Sequence, residues 1–290
     1  MQIVTDIAPL RELRAAWREA RARVAFVPTM GNLHAGHMRL VEVARGLAER
    51  VVVSIFVNPL QFDRPDDLAA YPRTLEADAA RLREAGVDAL FAPSETAMYP
   101  RGRACTRIEV PGLADILEGA SRPGHFAGVA TVVGKLFHLV EPDVAVFGEK
   151  DFQQLLLVRR MVEDLCLPVA IHGVPTVREA DGLALSSRNS YLTVEERQRA
   201  PALHAALCEL GAALEAGQRD LSRLESLAVQ RLQVEGLRPD YVTVRRSCDL
   251  ATPSPVDADL VVLAAAWLGR ARLIDNLRVR VSAGVSASRD

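Results

Sequence analysis

Short apolar runs alternate with amphipathic segments through the first 176 residues, and this alternation limits the fold more than any other feature of the chain. The runs are VAFVPTM (24–30), VVVSIFV (51–57), DALFAP (88–93), DVAVFG (143–148) and PVAIHGV (168–174). Helical spacing occupies 37–49, 74–85, 128–140 and 151–164 between them. Strands alternating with helices of this length predict βαβ units and a parallel sheet. Such a sheet binds ligands beyond the carboxyl ends of its strands.

The pattern changes near residue 176. The stretch READGLALSSRNSYL (178–192) is polar and turn-rich, and helical spacing follows over 193–216 and 220–235. Then DYVTVRR, DLVVLAAAW and RLIDNLRV read as paired strands. The expectation is an α/β domain over 1–176 and a smaller α+β domain over 177–290. A length of 290 residues accommodates both. The tail VSAGVSASRD is expected to be loose.

Composition narrows the function. With 49% hydrophobic and 25% charged residues and a net charge of -2, the chain has no basic excess for nucleic acid or a membrane surface, so a small substrate is expected. Cys105, Cys166, Cys208 and Cys248 form no C-x-x-C pair, which argues against a zinc knuckle or redox dithiol and for a reducing compartment. The start, MQIVTDIAPLRELRAAW, has no basic segment followed by an apolar one, and no run reaches the ~18 apolar residues of a membrane span. A cytoplasmic protein is expected.

The chemistry gathers at strand ends. In VPTMGNLHAGHMRLV (27–41) a buried strand gives way to a tight turn at Gly31 and a helix from about Ala35 or Gly36. A helix start presents unpaired N–H groups and partial positive charge, which favours phosphate. His34 and His37, three apart, share a helix face and can donate to phosphoryl oxygens as charge builds there. Gly36 would let a nucleotide approach the backbone. The alternative is that the histidines cap and pack.

FVNPLQF (56–62) ends the next strand, and Asn58 and Gln61 are neutral amides able to read hydroxyl and carboxylate groups. Tyr71 has packing as its default. In LEGASRPGHFAGVATVVGKLF (117–137), Glu118, Arg122 and His125 cluster in a glycine-rich segment, where either Arg122 and His125 bind an anion or the segment is a surface loop with a solvated arginine. VFGEKDFQQL (146–155) opens another helix, where Lys150 can reach phosphates, Asp151 can hold a nucleotide or a Mg²⁺ shell, and Gln154 follows one turn on. A capping and charge-dipole device is the alternative there. Ser186 and Ser187 beside Arg188 in LALSSRNSYL (183–192) make an anion clamp or a solvated linker.

Taken in order, VPTMGNLHAGH, SIFVNPLQFDRP, EGASRPGHF, FGEKDFQQL and DGLALSSRN resemble the pantoate–β-alanine ligase family, from the N-terminus to AAWLGRARLIDN (265–276). The resemblance implies a nucleotidylyltransferase-superfamily enzyme with a Rossmann-type N-terminal domain, a smaller C-terminal lid and a homodimer. It implies an ATP-dependent reaction, with Mg²⁺, in which (R)-pantoate forms a pantoyl adenylate and pyrophosphate, and β-alanine then displaces AMP to give pantothenate. His34 and His37 match its H-x-G-H signature, with His37 as proton donor. The ATP site implied takes Met30, Gly31, Asn32, Leu33, His34, Ala35, Gly36 and His37 from the first motif. Gly148, Glu149, Lys150, Asp151, Val177, Leu185, Ser186, Ser187 and Arg188 complete it. Gln61 and Gln154 would hold pantoate, Gln61 and Asn58 β-alanine, and Asp151 the metal. Tyr71, Glu118, Arg122 and His125 would support.

One departure is visible. LSSR stands where superfamily relatives carry K-M-S-K-S, so the pyrophosphate is assigned jointly to Lys150 and Arg188. Two rivals stay open: a nucleotidyltransferase that leaves the nucleotide on its product, and an ATP-binding regulatory protein without turnover.

Overall fold

Parallel strands buried on both faces read as continuous apolar runs, and in the computed structural model the five runs form adjacent strands of one sheet. The structure describes residues 1–103 and 106–281. Cys105 and the tail from Ser282 onward lie outside the described residues. Two compact units emerge: 1–149 with 153–175, and 150–152 with 176–290.

The first unit is a parallel sheet of six strands in the order β1-β4-β3-β2-β5-β6. Its elements run β1 (Gln2–Val4), α1 (Ile7–Glu19), β2 (Val24–Thr29), α2 (Ala35–Leu47), β3 (Arg50–Ile55), α3 (Pro65–Ala70), α4 (Leu75–Glu84), β4 (Ala89–Phe91), α5 (Glu95–Met98), α6 (Glu118–Ser121), α7 (His125–Val140), β5 (Val144–Gly148), α8 (Phe152–Asp164) and β6 (Ala170–Val174). From β2 the chain winds outward through β3 to β4, then returns to the other side of β2 as β5 and β6. This is doubly wound, Rossmann-type topology, and its switch point lies between β2 and β5. The pattern-based reading places nothing before Val24. β1 and α1 stand there, and β1 pairs with β4 at the sheet edge through Gln2 and Ala89.

Helix α7 starts at His125, a turn earlier than its spacing predicts, after Gly124 adopts a left-handed φ of 80°. It is buried along most of its length. Gly128 is required in it, because a Cβ there would collide with the Leu60 carbonyl in the turn after β3.

The second unit is an antiparallel sheet, β7 (Arg238–Arg246), β8 (Asp259–Leu268) and β9 (Ala271–Arg280), with α9 (Val194–Arg199), α10 (Ala202–Glu215) and α11 (Leu221–Val234). Leu203, Leu207, Leu210 and Leu214 of α10 share a core with Val262, Leu273 and Val279. The single helix predicted over 193–216 is two helices. Pro201 causes the break, since it lacks the N–H that a continuing helix needs and its ring meets the preceding turn. Among the described residues no helix is long and apolar enough to cross a membrane.

Candidate active site

The turn from Met30 to His37 leaves the carboxyl end of β2, at the switch point. Gly31 has φ 84°, and a Cβ on it would meet Ile55 at 3.0 Å and the Asp78 carboxylate at 3.2 Å. Asp78, only 1% exposed, fixes the turn. Its carboxylate accepts the backbone N–H groups of Asn32 (2.8 Å) and Leu33 (2.9 Å) and the Thr74 hydroxyl (2.9 Å). Arg81 adds a bond to the Leu33 carbonyl.

Helix α2 then begins with His34 as its N-cap. His34 Nδ1 accepts from the Gly36 N–H at 3.2 Å, and His37 Nδ1 accepts from the His34 N–H at 3.3 Å. A nitrogen that accepts from a backbone N–H carries no hydrogen itself, so each neutral ring bears its hydrogen on Nε2. The rings lie 4.1 Å apart between centroids. Capping by Nδ1 and donation by Nε2–H are therefore compatible here.

A second cluster follows β3. Gln61 Nε2 lies 3.1 Å from Met30 Sδ, which links it to the first turn. Asn58 Nδ2 donates to Gln61 Oε1 and to the Gly128 carbonyl, both at 3.1 Å, and Asn58 Oδ1 accepts from the Tyr99 hydroxyl at 2.8 Å. Arg122 Nη2 donates to the Gln61 carbonyl at 3.2 Å, where His125 Nδ1 also lies at 2.7 Å. Asn58 is 1% exposed, so as placed it shapes Gln61 from behind. Arg122 and His125 likewise hold the Gln61 backbone. Tyr71 packs edge-on against Phe62, rings 5.7 Å apart.

After β5, Gly148 leads into a 3-10 turn, Glu149–Asp151. Of the paired glutamines that follow, Gln153 is buried and its amide is engaged: Nε2 donates to the Leu113 (2.7 Å) and Ile116 (2.8 Å) carbonyls and Oε1 accepts the Glu118 N–H (3.1 Å). Gln154 is half-buried. The structural bonds are thus made by Gln153 and not by Gln154.

Within the second unit, Leu185 N–H donates to the Val177 carbonyl at 3.0 Å, and Arg178 pairs with Ala184. The backbone of Val177 thus lies beside the motif it was grouped with. Ser186 caps a 3-10 turn, Ser187–Tyr191, accepting from the Arg188 N–H at 3.3 Å. Lys150, Ser186 and Asn189 line one small cavity with Asp275 and His204.

Comparison with known proteins decides the family. The family model for pantoate-beta-alanine ligase matches residues 2–278. The chain belongs to this family. A pantothenate synthetase from Thioalkalivibrio sulfidiphilus is 65% identical over 280 residues, 96% of this chain and 98% of the relative. One from Pseudomonas aeruginosa is 57% identical over 282 residues, 96% of this chain and 100% of the relative. The crystal structure of pantothenate synthetase from Thermus thermophilus superposes with a TM-score of 0.89 at 50% identity, covering 96% and 99% of the two chains. Pantoate-beta-alanine ligase from Francisella tularensis, solved with beta-gamma ATP and beta-alanine, gives 0.80 at 36% identity, covering 96% and 97%.

For this ligase the sequence missed several supporting groups. Asp78 and Tyr99 lie outside every motif of the sequence. Nothing local marked either, because their partners lie 45 and 41 residues away. A groove of about 490 Å³ lined by Arg14, His138, Pro142 and Leu167 lies at the amino ends of β2, β5 and β6. It contains none of the ligase motif residues.

Proposed function

We propose that this ligase joins (R)-pantoate to β-alanine in two steps on ATP, with the motif residues in the following roles. A pantoate carboxylate oxygen attacks the α-phosphorus, the bond to the β-phosphate oxygen breaks, and pyrophosphate leaves. The β-alanine amine then attacks the acyl carbon of the pantoyl adenylate and loses a proton, and AMP departs with the anhydride oxygen. Carboxylate and triphosphate repel each other, so the site must supply positive charge and donors placed in advance.

His34 and His37 supply donors through Nε2–H, with His37 donating to the phosphoryl oxygens as charge develops. Met30 to His37 take the nucleotide at the α2 N-terminus, with Gly148 and Glu149. Lys150 and Arg188, with Ser186, Ser187 and the backbone around Val177 and Leu185, take the phosphates and the departing pyrophosphate. Gln61 and Gln154 bind pantoate. Gln61, oriented by Asn58, also meets β-alanine.

Mg²⁺ fits this arrangement through Asp151. Among the described residues no group of three or more His, Cys, Asp or Glu could cage a metal. A single exposed carboxylate suits Mg²⁺, which keeps waters and shares its shell with substrate phosphates. Bound so, it would offset phosphate charge. A cytoplasmic homodimer completes the proposal, and a solution mass twice that of the chain is its check.

The observation that carries the reading is the pair of Nδ1-capped histidines at the switch point of a doubly wound sheet. Incubation with ATP, Mg²⁺, D-pantoate and β-alanine, each omitted in turn, tests it. Pyrophosphate should require ATP and pantoate, and AMP with pantothenate should require all four. A product that retains the nucleotide would favour the nucleotidyltransferase instead.

A further inference from the structure

Lys150, Asp151 and Phe152 group with the second unit although the chain on both sides belongs to the first. One side-chain hydrogen bond joins this segment to that unit. Asn276 Nδ2, on β9, donates to the Lys150 carbonyl at 2.9 Å. Asn276 is itself held, because its N–H donates to Asp275 Oδ1 at 2.7 Å and its carbonyl accepts Arg178 Nη2 at 3.3 Å.

Arg178 grips Asp275 with both ends of its guanidinium, at 2.6 and 2.9 Å, and the Asp275 side chain is 2% exposed. The same guanidinium donates to the Gly182 carbonyl at 3.1 Å. It therefore ties the 177–185 hairpin to β9. Asn189 Nδ2 extends the tie to the Ser187–Tyr191 turn by donating to the Ala184 carbonyl at 3.0 Å. His204 closes the far side: its Nδ1 is 3.6 Å from Asp275, and a Cβ on Gly182 would meet its ring at 3.0 Å. The cavity among these groups is about 10 Å³, the volume of one water at most, so no substrate enters it.

We infer that Asn276 is a positioning residue for the adenylation step: with the partly buried Arg178–Asp275 pair behind it, it fixes the Lys150 backbone in register with the Ser186–Arg188 turn. This rests on the phosphate-binding role proposed for Lys150. A lysine is a point charge on a four-carbon stem, so its ammonium is placed only as well as its backbone. A displacement of about 1 Å in a reacting arrangement can cost ~10²-fold in rate. Asn276 touches no reacting atom in this account and acts through Lys150.

A double-mutant cycle on the full-length ligase tests it, using Lys150→Ala, Asn276→Ala and the double variant. Pantoate-dependent ATP–pyrophosphate exchange and the KM for β-alanine are the readouts. Asn276→Ala should slow exchange by about 10- to 100-fold with the β-alanine KM unmoved. In the Lys150→Ala background the same change should alter exchange less than about 2-fold, because the pathway through Lys150 is gone. Asn276→Asp, which keeps the shape but loses the donor, should repeat the pattern and serves if Asn276→Ala does not fold. An undiminished effect in the Lys150→Ala background, or no effect in the wild type, overturns the inference alone. Wild-type exchange by Lys150→Ala removes the role of Lys150 and the inference with it.

Discussion

His37 Nδ1 accepts the backbone N–H of His34 at 3.3 Å, and this bond assigns the hydrogen of the neutral His37 ring to Nε2. The ring that helps cap α2 is thereby able to donate through Nε2. The two roles can be separated by substitution. His37→Ala should slow adenylate formation by ~10² or more, the scale for a lost transition-state donor, and cost about 0.5–1.5 kcal/mol of stability through the lost bond from the His34 N–H. His37→Asn keeps an acceptor near the Nδ1 position, so it should restore most of the stability and none of the rate. Pre-steady-state pyrophosphate release and thermal melts measure the two effects. Recovery of rate by His37→Asn would place the catalytic contribution in the cap.

Tyr99→Phe tests the support behind Gln61. The Tyr99 hydroxyl donates to Asn58 Oδ1 at 2.8 Å, and that oxygen also accepts the Leu60 N–H at 3.3 Å. One partner remains after the change, so the loss should be about 1 kcal/mol. The KM for pantoate should rise several-fold as the Gln61 amide loosens, with the KM for ATP little changed. A variant with wild-type pantoate KM would show that Asn58 needs no help from Tyr99.

Arg14 should matter to stability and not to turnover. Its guanidinium donates to the carbonyls of Val140 and Glu141 at the end of α7, and the residue is 6% exposed. Arg14→Met leaves the buried Val140 carbonyl without that donor, at a cost of about 1–3 kcal/mol. The kcat per folded molecule should stay near wild type, since Arg14 lines the groove at the amino ends of the strands. A large fall in kcat without unfolding would tie that groove to catalysis.

His204 sets an acid limit on stability. Burial first, and then Arg178, push its imidazole below the ordinary 6.5, while Asp275 opposes them. Cys208 Sγ, 3.5 Å from Nε2, is the other titratable neighbour. The folded protein therefore takes up this proton at lower pH than the unfolded chain. The stabilisation is complete above the unfolded value and declines as pH falls through it toward the folded one. Between about pH 7.5 and 5 the melting temperature of wild type should fall more than that of His204→Gln. Parallel curves would contradict the assignment.

Strands β2 to β6 were legible because each carries a short, mainly apolar run, and the helices between them because they keep their spacing, as at 151–164, whereas the three-residue β1 is too short to show a pattern. Local chemistry was legible where it lies in one segment. H-x-G-H announces a helix start, and Gly31 announces the turn before it. Contacts made at a distance were not, as with Asp78 under Asn32 and Leu33 or Asn276 under Lys150, because a single sequence does not show which residues meet. Pro201 is a different case. Its effect on the 193–216 run is local, and the apolar spacing on either side of it conceals the break.

The proposed reaction passes through a mixed anhydride between pantoate and AMP, and oxygen tracing reads this directly. D-pantoate labelled with ¹⁸O in its carboxylate should give AMP carrying a single ¹⁸O and unlabelled pyrophosphate, because the attacking oxygen stays with the phosphorus when β-alanine takes the acyl group. Label in pyrophosphate or phosphate, or unlabelled AMP beside fully labelled pantothenate, would contradict an adenylate intermediate.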